Sequence, residues 1–352
     1  MSTTVDVAFV TSLAVPLLAA QAAGPQALVC DLAQGLAERG HRVTLYCARA
    51  TLLPQLTDVV IVQIPVDPMA AEARVMPLGQ ESQAIEALGV AFQQMFVELR
   101  RRGHEVISQH AYDAEAVDLS RGLALLHTIH LPPLGTRVPA ALRRAAEPRV
   151  TVSHACARLW VGAGVTIGVI PNGVPSFAVD AGPVEDVALI AGRISPEKGV
   201  ACAVRVARRA GLKPLVVGDV YDRAYFDSEV APLLEPDEVS AAVPRDQLWK
   251  LMARSRVCLA AVRWEEPFGL TFAEAQVAGC PVAGFRRGGL PEIVEEGVSG
   301  VLVEADDESA LMAAVVKAGA FDRAEVRRSG LARLSLAPVL ETYESVLMGL
   351  RR

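Results

Sequence analysis

The chain repeats one phrase: a short apolar run, a glycine-bearing or polar break, then a longer stretch of helical period. Val7 to Thr11 reads as a strand. Gln26 to Arg39 places Leu28, Val29, Leu32, Leu36 and Ala37 on the i, i+3/i+4, i+7 stripe of an amphipathic helix. Gly40 supplies the left-handed stop, and Arg42 to Cys47 is the next strand. Val59 to Ile64, Glu105 to Gln109, Leu123 to Thr128 and Val150 to Ser153 continue the strand series, with Ser82 to Arg102 the clearest helix among them. Short strands alternating with helices require right-handed crossovers, so the expected class is α/β with parallel sheets.

The alternation breaks once. PNGVPSFAVDAGPVED, Pro171 to Asp186, is rich in Pro, Gly and Asp and has neither helical nor strand period, as an interdomain linker would. It restarts with Val187 to Ala191, the helix Gly199 to Ala210, Pro214 to Val217, Arg245 to Ala253, Val257 to Ala261, the helix Thr271 to Ala278, and Pro281 to Ala283. A final amphipathic helix, Leu336 to Leu350, follows a break at Ser335. The expected organisation is a Rossmann-like domain over 1–170, a linker over 171–186, a second Rossmann-like domain over 187–335, and a terminal helix over 336–352 that returns to the first domain. Two α/β halves make the cleft between them the default ligand site.

The 352 residues suit two domains, each large enough for its own core. Lys and Arg number 34 against 40 Asp and Glu, a net charge of −6, which gives no basic field for nucleic acid. The six cysteines lack any C-x-x-C pair or zinc-ligand spacing with His and read as reduced core thiols of a cytoplasmic protein. The apolar stretch from Val5 to Ala23 fits a buried strand running into a loop better than a signal peptide or a transmembrane segment. Met1 to Asp6 has no Lys or Arg, Asp6 opens the run, and Pro16 and Gln21 interrupt it. Peripheral membrane contact stays open.

Two segments carry chemistry. In WEEPFGLTFAEAQVAGCPVAGFRRGGLPEIV, Trp264 to Val294, a strand ends near Val262 and a helix opens near Leu270 or Thr271. The amides of Phe268, Gly269 and Leu270 should therefore point out of the sheet's carboxyl edge, an arrangement suited to a phosphate or a sugar oxygen. Glu266 lies in the turn and Glu274 one helical turn in, with seven residues between, so both carboxylates can face one cleft. The same residues also suit plainer roles, Glu266 as a helix cap and Glu274 as a solvated helix position. In AGRISPEKG, Gly192 permits close backbone approach, Arg193 offers a planar fork of donors, and Lys198 adds a point charge beside a helix start. That is a candidate diphosphate clamp, or a solvated basic loop.

Glu266 through Glu274 reads E-P-F-G-L-x-x-x-E, followed by A-x-x-x-G-x-P-V and G-G-x-P-E. This resembles the signature of glycosyltransferase family 4, retaining nucleotide-sugar transferases of GT-B architecture, in which two Rossmann-like domains face across a cleft. GRISPEKG resembles that family's G-R-x-x-x-x-K-G motif and VIPNGV its interdomain phrase; GPQALVCDLAQGLAERGHRVTLY, LLHTIHLPP and RVTVSHACARLW resemble phrases of its first half. The resemblance covers essentially the whole chain.

It implies that Arg193 and Lys198 neutralise the donor diphosphate, with Gly192 and Gly24 in loops approaching it, and that Glu274 binds ribose hydroxyls. Glu266 would bind the transferred sugar, helped by the amides from Phe268 to Leu270, and His130, of the T-x-H phrase, would stand near the reacting sugar. Catalytic roles thus fall on Glu266, His130, Arg193 and Lys198. The resemblance further implies a UDP-hexose donor, with GDP-mannose next, no cofactor, metal independence and an acceptor of unspecified type; no D-x-D pair stands at a strand end to hold a metal.

Three positions depart from the family's habit: Gly24 is followed by Pro25 instead of glycine, Ser108-Gln109-His110 replaces a His-x-His phrase, and VSAAV replaces a glycine-bearing strand. The first keeps open a second reading, a non-catalytic nucleotide-sugar-binding subunit. An NAD dehydrogenase would need G-x-G-x-x-G after the first strand, which is absent. Asp306-Asp307 reads as a helix start. His41 and His104 follow glycines and read as turn residues, His127 as a packed strand residue, and His110 and His154 as cleft candidates; Trp264 is a cleft wall or core.

Overall fold

The computed structural model describes residues 4–18, 24–50, 53, 56–70, 83–179 and 182–351. Ser82, the end of the first apolar stretch from Ala19 to Ala23, and Asp180 and Ala181 of the expected linker lie outside them. The described residues form two compact units, one holding 4–18, 25–171 and 337–351, the other Gly24 and 172–336.

In the first unit the chain runs β1 (Asp6–Val10), α1 (Gly24–Glu38), β2 (Arg42–Cys47), β3 (Val59–Gln63), α2 (Gln83–Arg102), β4 (Val106–Gln109), α3 (Ala114–Leu119), β5 (Leu125–Ile129), α4 (Arg137–Arg144), β6 (Arg149–Thr151), α5 (His154–Gly162) and β7 (Gly168–Val169). The sheet order is β3-β2-β1-β4-β5-β6-β7, every pair parallel. Leu88, Phe92, Met95, Phe96 and Leu99 form the buried stripe of α2, and Gly40 turns the chain out of α1 at φ 91°. Helices α3, α4 and α5 were not anticipated from the sequence. At six, eight and nine residues they are too short to show a period above the surrounding polar loops.

The second unit contains β8 (Glu185–Ala191), α6 (Val200–Arg209), β9 (Lys213–Val217), the single turn α7 (Arg223–Tyr225), β10 (Val239–Ser240), α8 (Arg245–Arg254), β11 (Ser255–Ala260), α9 (Leu270–Val277), β12 (Val282–Phe285), α10 (Leu290–Ile293), β13 (Gly300–Val303), α11 (Glu308–Ala318) and α12 (Arg323–Leu334). Its order is β10-β9-β8-β11-β12-β13, again all parallel. β8 opens at Glu185, inside the segment expected to be linker, because Glu185 pairs with Ser255 of β11. β13 and α12 lie beyond the alternation legible in the sequence, and of α11 only the start, at Asp306-Asp307, is marked there. Asp307 caps α11, accepting from the amides of Ser309 and Ala310. The last helix, α13 (Leu336–Gly349), groups with the first unit from Ala337 onward.

The cores are mainly Val, Leu, Ile and Ala from sheet and helices, with Phe92, Phe96 and Trp160 among the larger side chains, and all six cysteines are buried with no disulfide between them. Among the described residues no helix is long and apolar enough to cross a membrane. Each sheet has one switch point, where the connections leave in opposite directions: between β1 and β4, and between β8 and β11. Adjacent carboxyl ends there part to opposite faces and leave a crevice, which is where open α/β sheets bind ligands.

Candidate functional site

At the second unit's switch point both motif segments meet. Gly192 leaves β8 at φ 136°, its amide bonded to Val217, and its carbonyl so close to Gly218 that a Cβ there would lie 1.9 Å from the oxygen. Arg193, half-buried, lies over the Tyr221 ring at 4.7 Å and 3.5 Å from Glu197. Pro196–Lys198 make one 3₁₀ turn, stopped by Gly199 at φ 65°. A Cβ on Gly199 would stand 1.9 Å from the Ala261 carbonyl oxygen, so only glycine lets this turn press against the exit of β11.

That approach brings Lys198 to Glu266 across 68 residues of sequence: Nζ donates to Oε2 at 2.7 Å. Trp264 Nε1 donates to the same oxygen at 2.7 Å, and the Lys198 ammonium sits 5.1 Å from the Trp264 ring. Glu266 is 7% exposed. Both donors converge on Oε2, which leaves Oε1 without a protein partner among the described residues. The turn is pinned from behind by Gly288 and Gly289, whose amides donate to Glu265 Oε2 at 2.9 Å and to the Glu266 carbonyl at 2.7 Å. A Cβ on Gly288 would come within 2.4 Å of the Glu266 nitrogen, which is the physical content of the G-G-x-P-E phrase.

Gly269, at φ 93°, starts α9. Among the described residues the amides of Phe268, Gly269 and Leu270 donate to no protein acceptor, as expected at a helix N-terminus. Glu274 is not the solvated residue that one reading of the helix allowed. It is 6% exposed and receives Arg245, from the first turn of α8, at 2.7 Å from Nε and 2.6 Å from Nη2. Arg245 in turn lies over Trp249 at 4.9 Å, and Trp249 stacks on Phe177 at 3.7 Å with the rings 4° apart. Nothing local in the sequence marks Arg245, which meets Glu274 only because α8 and α9 flank the same strand, β11. Trp264 turns out to be a hydrogen-bond donor to Glu266, a role neither core nor cleft wall describes.

In the first unit, histidines follow β4, at the switch point, and its neighbour β5. His130, directly after β5, is 5% exposed, and burial pushes its pKa down to about 4. Its Nε2 lies 2.9 Å from His110 Nδ1, and His110 Nε2 lies 2.8 Å from Ser108 Oγ. Burial, with His130 beside it, holds His110 well below the ordinary imidazole range. His110 is flanked by Phe9, with ring centroids 5.6 Å apart, and by Tyr343 of α13 at 6.2 Å; the Tyr343 hydroxyl donates to Thr128 Oγ1 at 3.2 Å. Asp113, at the N-cap position of α3, has its pKa raised by burial to about 7.

Other placements correct the sequence reading. Gly24 is the first residue of α1 and not part of a loop before it. His41 and His104 are more than turn residues: His41 accepts from the Val5 amide at 3.2 Å and meets Glu344 at 3.0 Å, while His104 bridges Asp6 at 2.5 Å and Tyr46 at 2.8 Å. His154, kept as a cleft candidate, is an exposed residue at the head of α5. His127 is fully buried in β5.

Comparison with known proteins bears on the family and the fold. A family model described as Glycosyltransferase Family 4 matches residues 22–176, and one described as Glycosyl transferases group 1 matches residues 179–320. The D-inositol 3-phosphate glycosyltransferase of Segniliparus rotundus is 32% identical over 188 residues, which cover 47% of this chain and 42% of that protein; the match thus spans less than half the relative's length. Among solved structures, sucrose-phosphate synthase from Thermosynechococcus elongatus superposes with a TM-score of 0.75 at 18% identity, covering 98% of this chain and 99% of that one. Anabaena HepE, solved with UDP and glucose, gives 0.71 at 16% identity over 98% and 100%. At such identities the structural likeness speaks for the fold, and the two family models speak for descent. With one model on each parallel α/β unit and the signature residues gathered at a switch point, the chain belongs to glycosyltransferase family 4 and has the GT-B fold.

Proposed function

We propose that the chain is a retaining, metal-independent glycosyltransferase that moves a hexose from a nucleoside-diphosphate sugar of the UDP-glucose type to an acceptor hydroxyl, and that it works in the reducing cytoplasm. The observation that carries this is the Lys198–Glu266 pair, an ammonium and a carboxylate held at 2.7 Å at the mouth of the β8/β11 crevice. Breaking a glycosyl–diphosphate bond puts negative charge on the leaving group and oxocarbenium character on the sugar. Fixed cations beside the diphosphate lower that barrier without rearranging solvent, the role we give to Lys198 and Arg193. The unpartnered amides of Phe268 to Leu270 add donors to the same edge, and Gly192 and Gly24 let backbone approach the phosphates.

Glu266 suits the sugar because Oε2 is already committed to Lys198 and Trp264 while Oε1 is free to accept from a sugar hydroxyl. Glu274 suits the ribose hydroxyls, with Arg245 holding its other flank. His130 is assigned the acceptor side, facing the transferred sugar. In a retaining transfer without a protein nucleophile, the departing diphosphate oxygen takes the acceptor's proton. The UDP and glucose bound to HepE support a UDP-hexose donor, and six buried cysteines with no disulfide suit a reducing compartment.

Thermal shift with UDP-, GDP-, ADP- and dTDP-hexoses tests the donor, since a ligand that binds only the native state stabilises it by RT ln(1 + [L]/Kd). UDP-glucose should give the largest shift and be slowly hydrolysed. A larger shift with another base replaces the donor, and no shift with any of them removes the function.

A further inference from the structure

Ser108, His110 and His130 form a single file of hydrogen bonds, 2.8 Å and 2.9 Å long, that ends on a bare nitrogen: His130 Nδ1 is buried and has no partner among the described residues. Both rings are neutral, because burial lowers both pKa values. Each neutral ring therefore carries one N–H, and the file can run in only two directions.

In the first, the Ser108 hydroxyl donates to His110 Nε2, His110 donates from Nδ1 to His130 Nε2, and His130 carries its proton on Nδ1. In the second, every proton shifts the other way: His130 donates from Nε2, His110 donates to Ser108, and the Ser108 hydroxyl is left with its own proton to place. Ser108 is fully buried in β4, and among the described residues its hydroxyl has no hydrogen-bond partner but His110. The second direction therefore strands an O–H donor where nothing can reach it, whatever binds. The first leaves its one unmade donor on His130 Nδ1, which a sugar oxygen completes where His130 faces the sugar. A buried donor left unmade is the costly outcome, so the first direction wins once a ligand is bound.

We infer that Ser108 and His110 are positioning residues that fix His130 as the Nδ1–H tautomer, so that His130 meets the transferred sugar as a hydrogen-bond donor to a sugar oxygen and not as a base. This rests on the reading that His130 faces the sugar. It also explains how Ser108 serves where the family commonly has histidine: a hydroxyl at this depth can start the file from one end only. Phe9 and Tyr343, stacked on either flank of His110, hold the His110 ring in line.

The test is nitrogen NMR of the protein labelled at histidine, with the His130 signals identified by their loss in His130→Gln, together with UDP-glucose turnover and UDP affinity. In the UDP-glucose-bound protein the His130 proton should be on Nδ1. Ser108→Val, close to isosteric, should remove that preference and lower turnover about tenfold, the size of one lost transition-state hydrogen bond, with UDP affinity unchanged. Ser108→Thr, which keeps the hydroxyl, should restore both. A proton on His130 Nε2 in the unmutated protein overturns the inference, whether or not the variants fold, as does Ser108→Val with unchanged tautomer and turnover. If His130→Gln turns over normally, the placement of His130 beside the sugar fails, and the spectrum alone then decides the relay.

Discussion

Replacing Lys198 with Ala separates the two duties its ammonium performs. In the free protein it neutralises Glu266, whose side chain is 9% exposed and, among the described residues, keeps only Trp264 as a donor once the lysine is gone. Leaving one side of a buried carboxylate unpaired costs about 1–3 kcal/mol, which lowers the melting temperature by about 2–4 °C per kcal/mol for a unit of this size. With donor bound, the same ammonium contacts the diphosphate, a charge-assisted bond worth about 1.5–3 kcal/mol, or roughly 10- to 150-fold in Kd. Titration calorimetry of UDP into Lys198→Ala measures the second effect and a melting curve the first. The double variant Lys198→Ala/Glu266→Gln removes the stranded charge, so it should regain much of the melting temperature while UDP affinity stays low. A UDP Kd within twofold of the unmutated protein would refute the clamp, and a melting temperature unaffected by Lys198→Ala would refute the claim that Glu266 depends on it.

The two glutamates should part company: Glu274→Gln weakens UDP binding, whereas Glu266→Gln spares UDP and lowers sugar transfer or donor hydrolysis, and equal losses of UDP affinity would contradict their assignment. Activity should survive EDTA, because Arg193 and Lys198 supply the positive charge at the diphosphate; loss with EDTA and recovery with Mn²⁺ would count against it. Asp113 should make the fold less stable as pH rises. Its folded pKa of about 7 lies above the ordinary 3.8, so between those values the folded state binds more protons than the unfolded one and stability falls with pH. Asp113→Asn should remove that slope, and urea midpoints of variant and parent that stay parallel from pH 4 to pH 7 would show that Asp113 is not the cause.

Much of the architecture was legible because its signals are local. Gly40 after α1, Asp307 before α11 and the apolar stripes of α1 and α2 each act within a turn or two of chain. The short helices α3, α4 and α5 were not legible, since a helix of two turns leaves too few positions for a period to show and takes its stability from the sheet it covers.

At the site the division follows the same line. Residue types and their spacing point to Glu266, Glu274, Arg193, Lys198 and His130 as candidates, because a strand end followed by a helix start puts amides and charges at one edge wherever it occurs. The pairings were not contained in any local pattern. Lys198 reaches Glu266 from 68 residues away only because Gly199 lets one turn press on the backbone of Ala261, and Arg245 reaches Glu274 from 29 residues away because α8 and α9 flank one strand. Ser108 read as a departure from a family phrase until the register of β4 and β5 set His110 beside His130. Sequence alone determined which groups are present and on which element each sits. Strand order and close backbone approach decided which of them share a proton or a charge, since a hydrogen bond depends on ångströms in space and leaves no trace in the residues between its ends.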